Sequence, residues 1–278
     1  MPPTEAWDQA HAAAQRAGVR LVLLPALEDA DRVRSVIDRV WGASVLPREL
    51  LRAFQHAGCV LWGAEAGDKL AGFVLGFLGW REGLHLHSHM LAVVPERQSA
   101  GAGFALKLAQ RAQCLDEGVG EVRWTYDPLV ARNARFNLVK LGATATALLP
   151  AHYGEMTDRV NRGDRSDRFE VRWQLGSDRT MGAIEGGLSA PRLGEPVLRA
   201  TGHPESPEPA ESGVRPGRGA LVQIPPDHSA LRQSHPELGV RWRECSSNVF
   251  GRCFAAGLEA TWFSRDGSYV FEPAEQAR

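Results

Sequence analysis

An α/β fold, a sheet flanked by helices, is predicted for this chain of 278 residues by three features. Short apolar or alternating runs take turns with longer runs of helical period, in the order β-α-α-β-β-β-α-β-α through residues 19–141. One strand-like run, His85–Val94, leads into a glycine-rich turn, Gln98–Gly103, with a helical pattern directly behind it. Hydrophobic residues make up 44% of the chain, enough for a sizeable core and about one and a half domains.

The elements follow in order. Val19–Leu24 reads as a first strand, and Glu28–Trp41 as a helix with Val33, Val36, Ile37, Val40 and Trp41 on one face. Pro47 suits the first turn of a second helix carrying Leu50, Leu51 and Phe54. Cys59–Ala66 and Ala71–Trp80 read as two strands joined by Gly67-Asp68-Lys69. His85–Val94 is the next strand, and Phe104, Leu106, Leu108, Ala109, Ala112 and Leu115 mark the helix after the glycine turn. Glu121–Asp127 alternates like a half-buried strand, and Asn133–Leu141 reads as a helix stopped by Gly142. Asp167–Leu175 is a further strand.

The remainder is less regular. Tyr153–Arg168 is too polar for a core element, and its arginines Arg159, Arg162, Arg165 and Arg168 suit either a solvated loop or bidentate binding of a carboxylate. Gly176–Gly219 is rich in Pro, Gly, Ser and Glu and reads as a linker or extended arm. Beyond it, Ala220–Ile224 reads as a strand. Ser234-His235-Pro236-Glu237 has the form of a capping box before a helix bearing Leu238, Trp242, Cys245, Val249, Cys253 and Phe254. Thr261–Phe271 completes this piece as a strand or hairpin around Asp266-Gly267. About sixty residues with so large an apolar face are expected to dock on the preceding sheet or on a second subunit.

A strand that feeds a glycine turn and then a helix is a device for holding phosphate. The first helical turn has unpaired N–H groups, and the helix dipole favours an anion there. Gly101 and Gly103 allow close approach to the backbone. The Lys-Ser/Thr pair of a P-loop is missing, because Phe104-Ala105 stands in its place. The dinucleotide fingerprint fits Gly101 and Gly103, but its third glycine falls on Leu106. Taken alone, the loop fits a phosphate cradle or an ordinary helix start.

The segment Leu91-Ala92-Val93-Val94-Pro95-Glu96-Arg97-Gln98-Ser99-Ala100-Gly101-Ala102-Gly103 resembles the signature of the GNAT acyltransferases. That signature is a strand ending in Leu-x-Val-x-Pro-Glu, followed by (Gln/Arg)-x-x-Gly-x-(Gly/Ala). A second match follows at the expected distance: the strand Glu121–Asp127 and the helix from Asn133 to Leu141-Gly142. The resemblance implies a GNAT fold over residues 1–175, with a central mixed, mostly antiparallel twisted sheet flanked by helices, ahead of the arm at 176–219 and a strand-helix-strand extension at 220–278. It implies that Gln98, Ser99, Ala100, Gly101, Ala102, Gly103 and Phe104 hold the pyrophosphate of acetyl- or another acyl-coenzyme A. It also implies that the backbone of Leu91, Ala92 and Val93 pairs with the pantetheine arm, with Asn133 touching the arm and Phe136 packing beside it.

The reaction implied is acyl transfer to an amine by direct attack in a ternary complex, which needs an oxyanion donor, a proton acceptor and an acid for the thiolate. Strict alternation puts His87 and His89 on the strand face of Leu91 and Val93, and a catalytic Glu of histone-acetylating members falls at His87. A histidine, with an ordinary pKa of about 6.5, is mostly neutral at pH 7 and able to accept a proton. Deprotonating a lysine-type amine at pH 7 costs roughly 4.6 kcal/mol, an α-amine only about 1.4. The Tyr that many members place four residues before the helix-ending glycine is Leu138 here, so Tyr126 and Tyr153 are the candidate acids. Arg159, Asn161 and Arg168 are the candidate acceptor contacts, suggesting an amino acid among small-molecule amines; a succinyl donor would suit spare arginines equally.

Net charge is -1, so no bulk field draws nucleic acid or anionic membrane. No apolar run approaches the roughly 20 residues of a membrane span. The N-terminal stretch is alanine-rich and polar, and the four cysteines form no C-x-x-C pair, which suits reduced thiols in a cytoplasmic protein. His85, His87 and His89 share a strand face, but no Cys or carboxylate joins them at ligand spacing, so no metal is expected. A homodimer is allowed. The competing readings are a coenzyme A-binding module without turnover, serving as sensor or assembly partner, and a nucleotide-binding regulator.

Overall fold

The computed structural model describes residues 3–42, 45–156, 158, 162–192, 194–215 and 217–274. The chain divides into two compact units, residues 1–124 with 157–162 and residues 125–156 with 163–278. Each is mixed α/β, with a mostly antiparallel sheet and flanking helices. The sequence reading drew its boundaries at 175/176 and 219/220, whereas this division falls inside a strand, after Trp124.

In the first unit α1 (Pro3–Arg16) is followed by β1 (Arg20–Leu23), α2 (Leu27–Trp41), α3 (Arg48–His56), β2 (Val60–Ala66), β3 (Lys69–Gly79) and β4 (His85–Val93). A 3₁₀ turn at Pro95–Arg97 leads to α4 (Ala102–Asp116) and then β5 (Glu121–Tyr126), the strand in which the division falls. The strand order is β1-β2-β3-β4-β5, antiparallel up to β4, with a parallel β4–β5 contact. Alternation along β3 sorts the core. Phe73 and Leu75 face Val33, Val36 and Ile37 of α2 and Leu51 of α3, while Val74 faces Ala102 and Leu106 of α4. The alanine-rich N-terminal stretch is a helix. Ala6, Ala10, Ala13, Ala14 and Ala17 are buried, a stripe at helical spacing that lets α1 lie close against α4.

In the second unit the chain forms α5 (Ala131–Ala134), a π-helical turn (Arg135–Lys140), β6 (Thr144–Leu149), β7 (Arg168–Gln174), α6 (Asp178–Ile184), β8 (Glu195–His203), β9 (Ser206–Glu211), β10 (Ala220–Gln223), α7 (His228–Ser234), α8 (Pro236–Ala255), β11 (Leu258–Phe263) and β12 (Ser268–Pro273). Its strand order is β7-β6-β11-β12-β10-β8-β9. The final strand-helix-strand piece is joined to the rest of this unit through β11, where Ala260 pairs with Ala145 of β6. Phe169 of β7 sits among rings from α8 and β12, 4.7 Å from Phe250 and 5.3 Å from Tyr269. Edge-to-face packing of this kind adds about 0.5–1.5 kcal/mol per pair to burial.

The described residues of the segment read as a linker or extended arm, 176–219, form regular elements, which corrects that expectation. It holds α6 and the β8–β9 hairpin, paired from Leu198–Glu211 to His203–Ser206. Its composition concealed this because only Val197 and Leu198 are buried core residues in the hairpin. β8 is tied in by parallel pairing to β10, and the buried Trp242 indole of α8 donates to Pro207 O at 2.6 Å. Pro207 and Pro209 lie on the edge strand β9, where a missing N–H costs nothing.

Candidate active site

The glycine loop is shaped by two left-handed residues, Ser99 at φ 66° and Gly101 at φ 95°. Gly101 is the residue before α4, whose first turn has no side-chain cap and no acidic residue. Of the amides from Ser99 to Phe104, two are turned inward: Ala100 N–H to Arg97 O at 3.4 Å and Phe104 N–H to Gly101 O at 3.0 Å. Among the described residues, the N–H groups of Ser99, Gly101, Ala102 and Gly103 have no protein acceptor. Such uncapped donors, gathered where a helix dipole is positive, form an anion seat. Gln98 closes the loop from behind, its side-chain amide donating to Val93 O at 3.3 Å. A Cβ on Gly103 would lie 3.7 Å from Val93 and 3.8 Å from Leu91, so the helix start rests on the end of β4.

Strand β4 departs from simple alternation. Leu75 of β3 pairs with Met90 and Gly76 with Ser88, so His89 bulges out without a partner. The bulge reverses the facing of the residues on either side. His87 pairs with Phe77 and Met90 with Leu75, on the side of α2 and α3, while Leu91 and Val93 join the cluster under α4. The expectation that His87 shares a face with Leu91 and Val93 is thereby corrected, since one inserted residue cancels the period of two. Pairing of β4 with β5 covers Leu86–Val122 and His87–Arg123. From Ser88 onward the β4 edge that would face β5 is not paired to it among the described residues, and this stretch contains Leu91, Ala92 and Val93.

Around the bulge four rings gather. The Phe77 ring lies 5.2 Å from His87 and 5.8 Å from His89, and it stacks on Phe54 of α3 at 5.2 Å and 4°. His89 is exposed, and no described group hydrogen-bonds its imidazole. Desolvation by its neighbours lowers its pKa from the usual value, favouring the neutral ring. Phe54 and Phe77 escaped the sequence reading as site residues, because nothing in the local pattern says that α3 lies against the end of β3.

Beneath β4 lies Lys107, 2% exposed. Its ammonium group donates to Ser88 Oγ and Gln110 Oε1, each at 2.9 Å, and stands 3.9 Å over the Trp124 ring. These contacts reach both β4 and β5 near the point where their pairing ends. Burial pulls its pKa down to about 7. The one sequence signal was a lysine amid the apolar run of α4.

The other candidates belong to the second unit. Asn133 and Phe136 are half-buried, and the helix after them winds into a π turn in which Leu141 N–H donates to Phe136 O at 3.0 Å. Gly142 is required there, with φ at 70° and Arg179 O only 2.8 Å from where a Cβ would stand. Leu138 is fully buried. The Tyr126 hydroxyl is buried and donates to Tyr269 at 3.3 Å, which in turn donates to Pro128 O at 2.7 Å. Burial raises the Tyr126 pKa well above the usual phenol value, so it holds its proton tightly. Tyr153 is 45% exposed, its hydroxyl 3.2 Å from Thr125 Oγ1. Arg168 is buried, donating to Asp167 O at 2.9 Å and Met156 Sδ at 3.2 Å, with its guanidinium over the Tyr153 ring. Arg159 and Asn161 lie outside the described residues.

His85 is turned to Gly83 O at 2.9 Å, and among the described residues no group of three His, Cys, Asp or Glu is placed to hold a metal ion. No described helix is long and apolar enough to cross a membrane. The four thiols are free, Cys114 and Cys253 buried.

Open amides at a strand–helix junction, beside a bulged strand with one edge released, make an arrangement that suits an anionic group. Residues 26–138 match the family model described as the acetyltransferase (GNAT) family. Among solved structures the chain is similar to the ribosomal-protein-S18-alanine N-acetyltransferase of Escherichia coli, with 16% identity over 57% of this chain and 95% of that one, TM-score 0.48. It is likewise similar to Arabidopsis thaliana Naa50 in complex with a bisubstrate analogue (16% identity, 56% and 97% covered, TM-score 0.47). A third is the diaminobutyrate acetyltransferase EctA of Paenibacillus lautus, in complex with L-2,4-diaminobutyric acid and coenzyme A (18%, 58% and 99%, TM-score 0.47). No curated protein matches the chain.

Proposed function

We propose that the protein is an N-acyltransferase that moves an acetyl or other short acyl group, such as succinyl, from coenzyme A to the amine of a small molecule. The observation that carries this reading is the set of unoccupied amides at Ser99, Gly101, Ala102 and Gly103 in a GNAT-matching segment. They suit the pyrophosphate of the donor, and the released edge of β4 from Leu91 to Val93 suits its amide-bearing arm. Asn133 and Phe136 are kept as cofactor contacts on the strength of the family pattern.

In the reaction the amine nitrogen attacks the thioester carbonyl, forming the C–N bond as the C–S bond breaks. A backbone N–H of the Leu91–Val93 stretch would stabilise the oxyanion. His89, neutral and unpartnered, accepts the proton that the nitrogen loses, and His87 is the neighbouring alternative. The thiolate takes up one proton. Of the two tyrosines read as candidate acids, Tyr126 is buried and Tyr153 is 45% exposed, which favours Tyr153 for that proton. A cytoplasmic location and a homodimer fit this reading without being required by it.

Calorimetry with coenzyme A, followed by thiol release from acetyl- and succinyl-coenzyme A with a panel of amines, tests the proposal. Micromolar binding and release with at least one pair are expected. Binding without release from any pair would favour the non-catalytic module instead, and absent binding would remove both.

A further inference from the structure

The ring cluster at the β4 bulge has a consequence for the acceptor. We infer that the acceptor is an amine carried on an aromatic or flat apolar body, which lies on the Phe54–Phe77 wall with its nitrogen toward His89 and His87. The inference rests on the acyltransferase reading and names its substrate class.

Four observations support it. Phe54 and Phe77 are stacked almost parallel and remain half-buried, so part of their surface is open to a ligand. Leu50, one turn before Phe54 on the same face of α3, is 45% exposed and extends the apolar surface. The two histidines adjoin the Phe77 ring, so a ligand body on that ring places a short substituent against an imidazole. The His89 imidazole has no hydrogen-bonded or ion-paired partner among the described residues.

That last point separates acceptor classes. A free amino acid brings a carboxylate, which needs a cation or several N–H donors to leave water. Of the arginines read from sequence as carboxylate contacts, Arg168 is buried among Asp167 O, Met156 and the Tyr153 ring, and Arg165 is paired with Asp167. An arylalkylamine makes no such demand. Its ring gains edge-to-face or offset contacts with Phe54 and Phe77, and its ammonium form is attracted to aromatic faces as it approaches.

The test uses the full-length protein with acetyl-coenzyme A and three acceptors, 2-phenylethylamine, glycine and n-butylamine, read by thiol release, with coenzyme A affinity measured in parallel by calorimetry. The expected result is a kcat/KM for 2-phenylethylamine at least about tenfold above that for n-butylamine, the worth of one good aromatic contact, with glycine lowest. Phe77→Leu, which keeps an apolar side chain and the strand, should raise KM for 2-phenylethylamine about tenfold and leave coenzyme A affinity unchanged. Phe54→Leu should act in the same direction. Equal or better use of glycine, or no thiol release with 2-phenylethylamine by a protein that binds coenzyme A, would overturn the inference while sparing the cofactor reading. Loss of coenzyme A binding by the unaltered protein would strike the underlying reading itself.

Discussion

Two buried cations, one in each unit, are solvated in opposite ways. Lys107, in the first unit, has Ser88, Gln110 and the Trp124 ring as its identified partners, none of which carries a charge. Arg243, in the second, holds Asp127 through two bonds of 2.8 Å and Asp164 through bonds of 3.1 and 2.5 Å. Burial works against the charge in both cases, but the two carboxylates outweigh it at Arg243 and raise its pKa, while Lys107 falls to about 7. Burial also opposes ionisation of Asp164, yet hydrogen bonds from His228 and Arg243 hold its carboxyl well below the usual range. Around Arg243 the second unit therefore closes its charges on one another. The first leaves four loop amides and the exposed His89 imidazole without a hydrogen-bonded protein partner among the described residues, while its Lys107 is buried and hydrogen-bonded. Groups left open are the ones available to a ligand, and closed networks serve the fold.

The largest effect expected from this contrast is on the closed network. Asp164→Ala leaves Arg243 and His228 short of a partner in the interior, and urea unfolding should show a loss of about 3–5 kcal/mol. A loss below 1 kcal/mol would mean that the network is solvated after all. Next comes the open loop. Gly101 has a φ of 95° and Ala17 Cβ 3.4 Å from where a Cβ would stand. Gly101→Val should therefore reshape the loop and forfeit about two charge-assisted hydrogen bonds, near a hundredfold in coenzyme A affinity by calorimetry, with the far-ultraviolet circular dichroism unchanged.

Lys107 gives a smaller, pH-dependent signal. Its folded pKa of about 7 lies below the value of about 10.4 of an unfolded lysine. Between those values the unfolded chain binds one more proton, so stability rises with pH by up to roughly 1.4 kcal/mol per unit; below both, the contribution is flat. Lys107→Met should abolish that rise between pH 7 and 9 in denaturant titrations, and an unchanged slope would show that Lys107 is not the group responsible. The smallest effect is at Gly103. A Cβ there meets only ordinary contacts of 3.7 and 3.8 Å. Gly103→Ala should change stability by less than about 0.5 kcal/mol and coenzyme A affinity by less than about threefold, setting the contrast with Gly101 two positions away.

The parts of the site legible beforehand are local ones. The approach of β4, the turn through Gly101 and the start of α4 follow one another along the chain, so periodicity and glycine placement suffice to find them. Leu141-Gly142 could be read in the same way. The bulge at His89 could not, because an extra residue in a strand is visible only against the register of its partner β3. For the same reason the faces of His87 and Leu91 were assigned alike. Arg168 carried the right chemistry for a carboxylate, but its burial depends on Met156 and Tyr153 packing over it. The β8–β9 hairpin was hidden by prolines and glutamates, which an edge strand tolerates and a composition count reads as disorder.

By itself the sequence determined the α/β class, the order of elements from Val19 to Gly142 and the position of the glycine turn before α4. All of these depend on neighbours within a few residues, where spacing and backbone preference act directly. Tertiary structure decided that the loop amides stay open, that Lys107 is buried between two strands, that the rings of Phe54 and Phe77 meet the histidines, and that Asp127, Asp164 and Arg243 close on one another. These depend on which distant segments touch. Contact between distant segments is set by the summed burial of many side chains, and no short stretch of the chain encodes it.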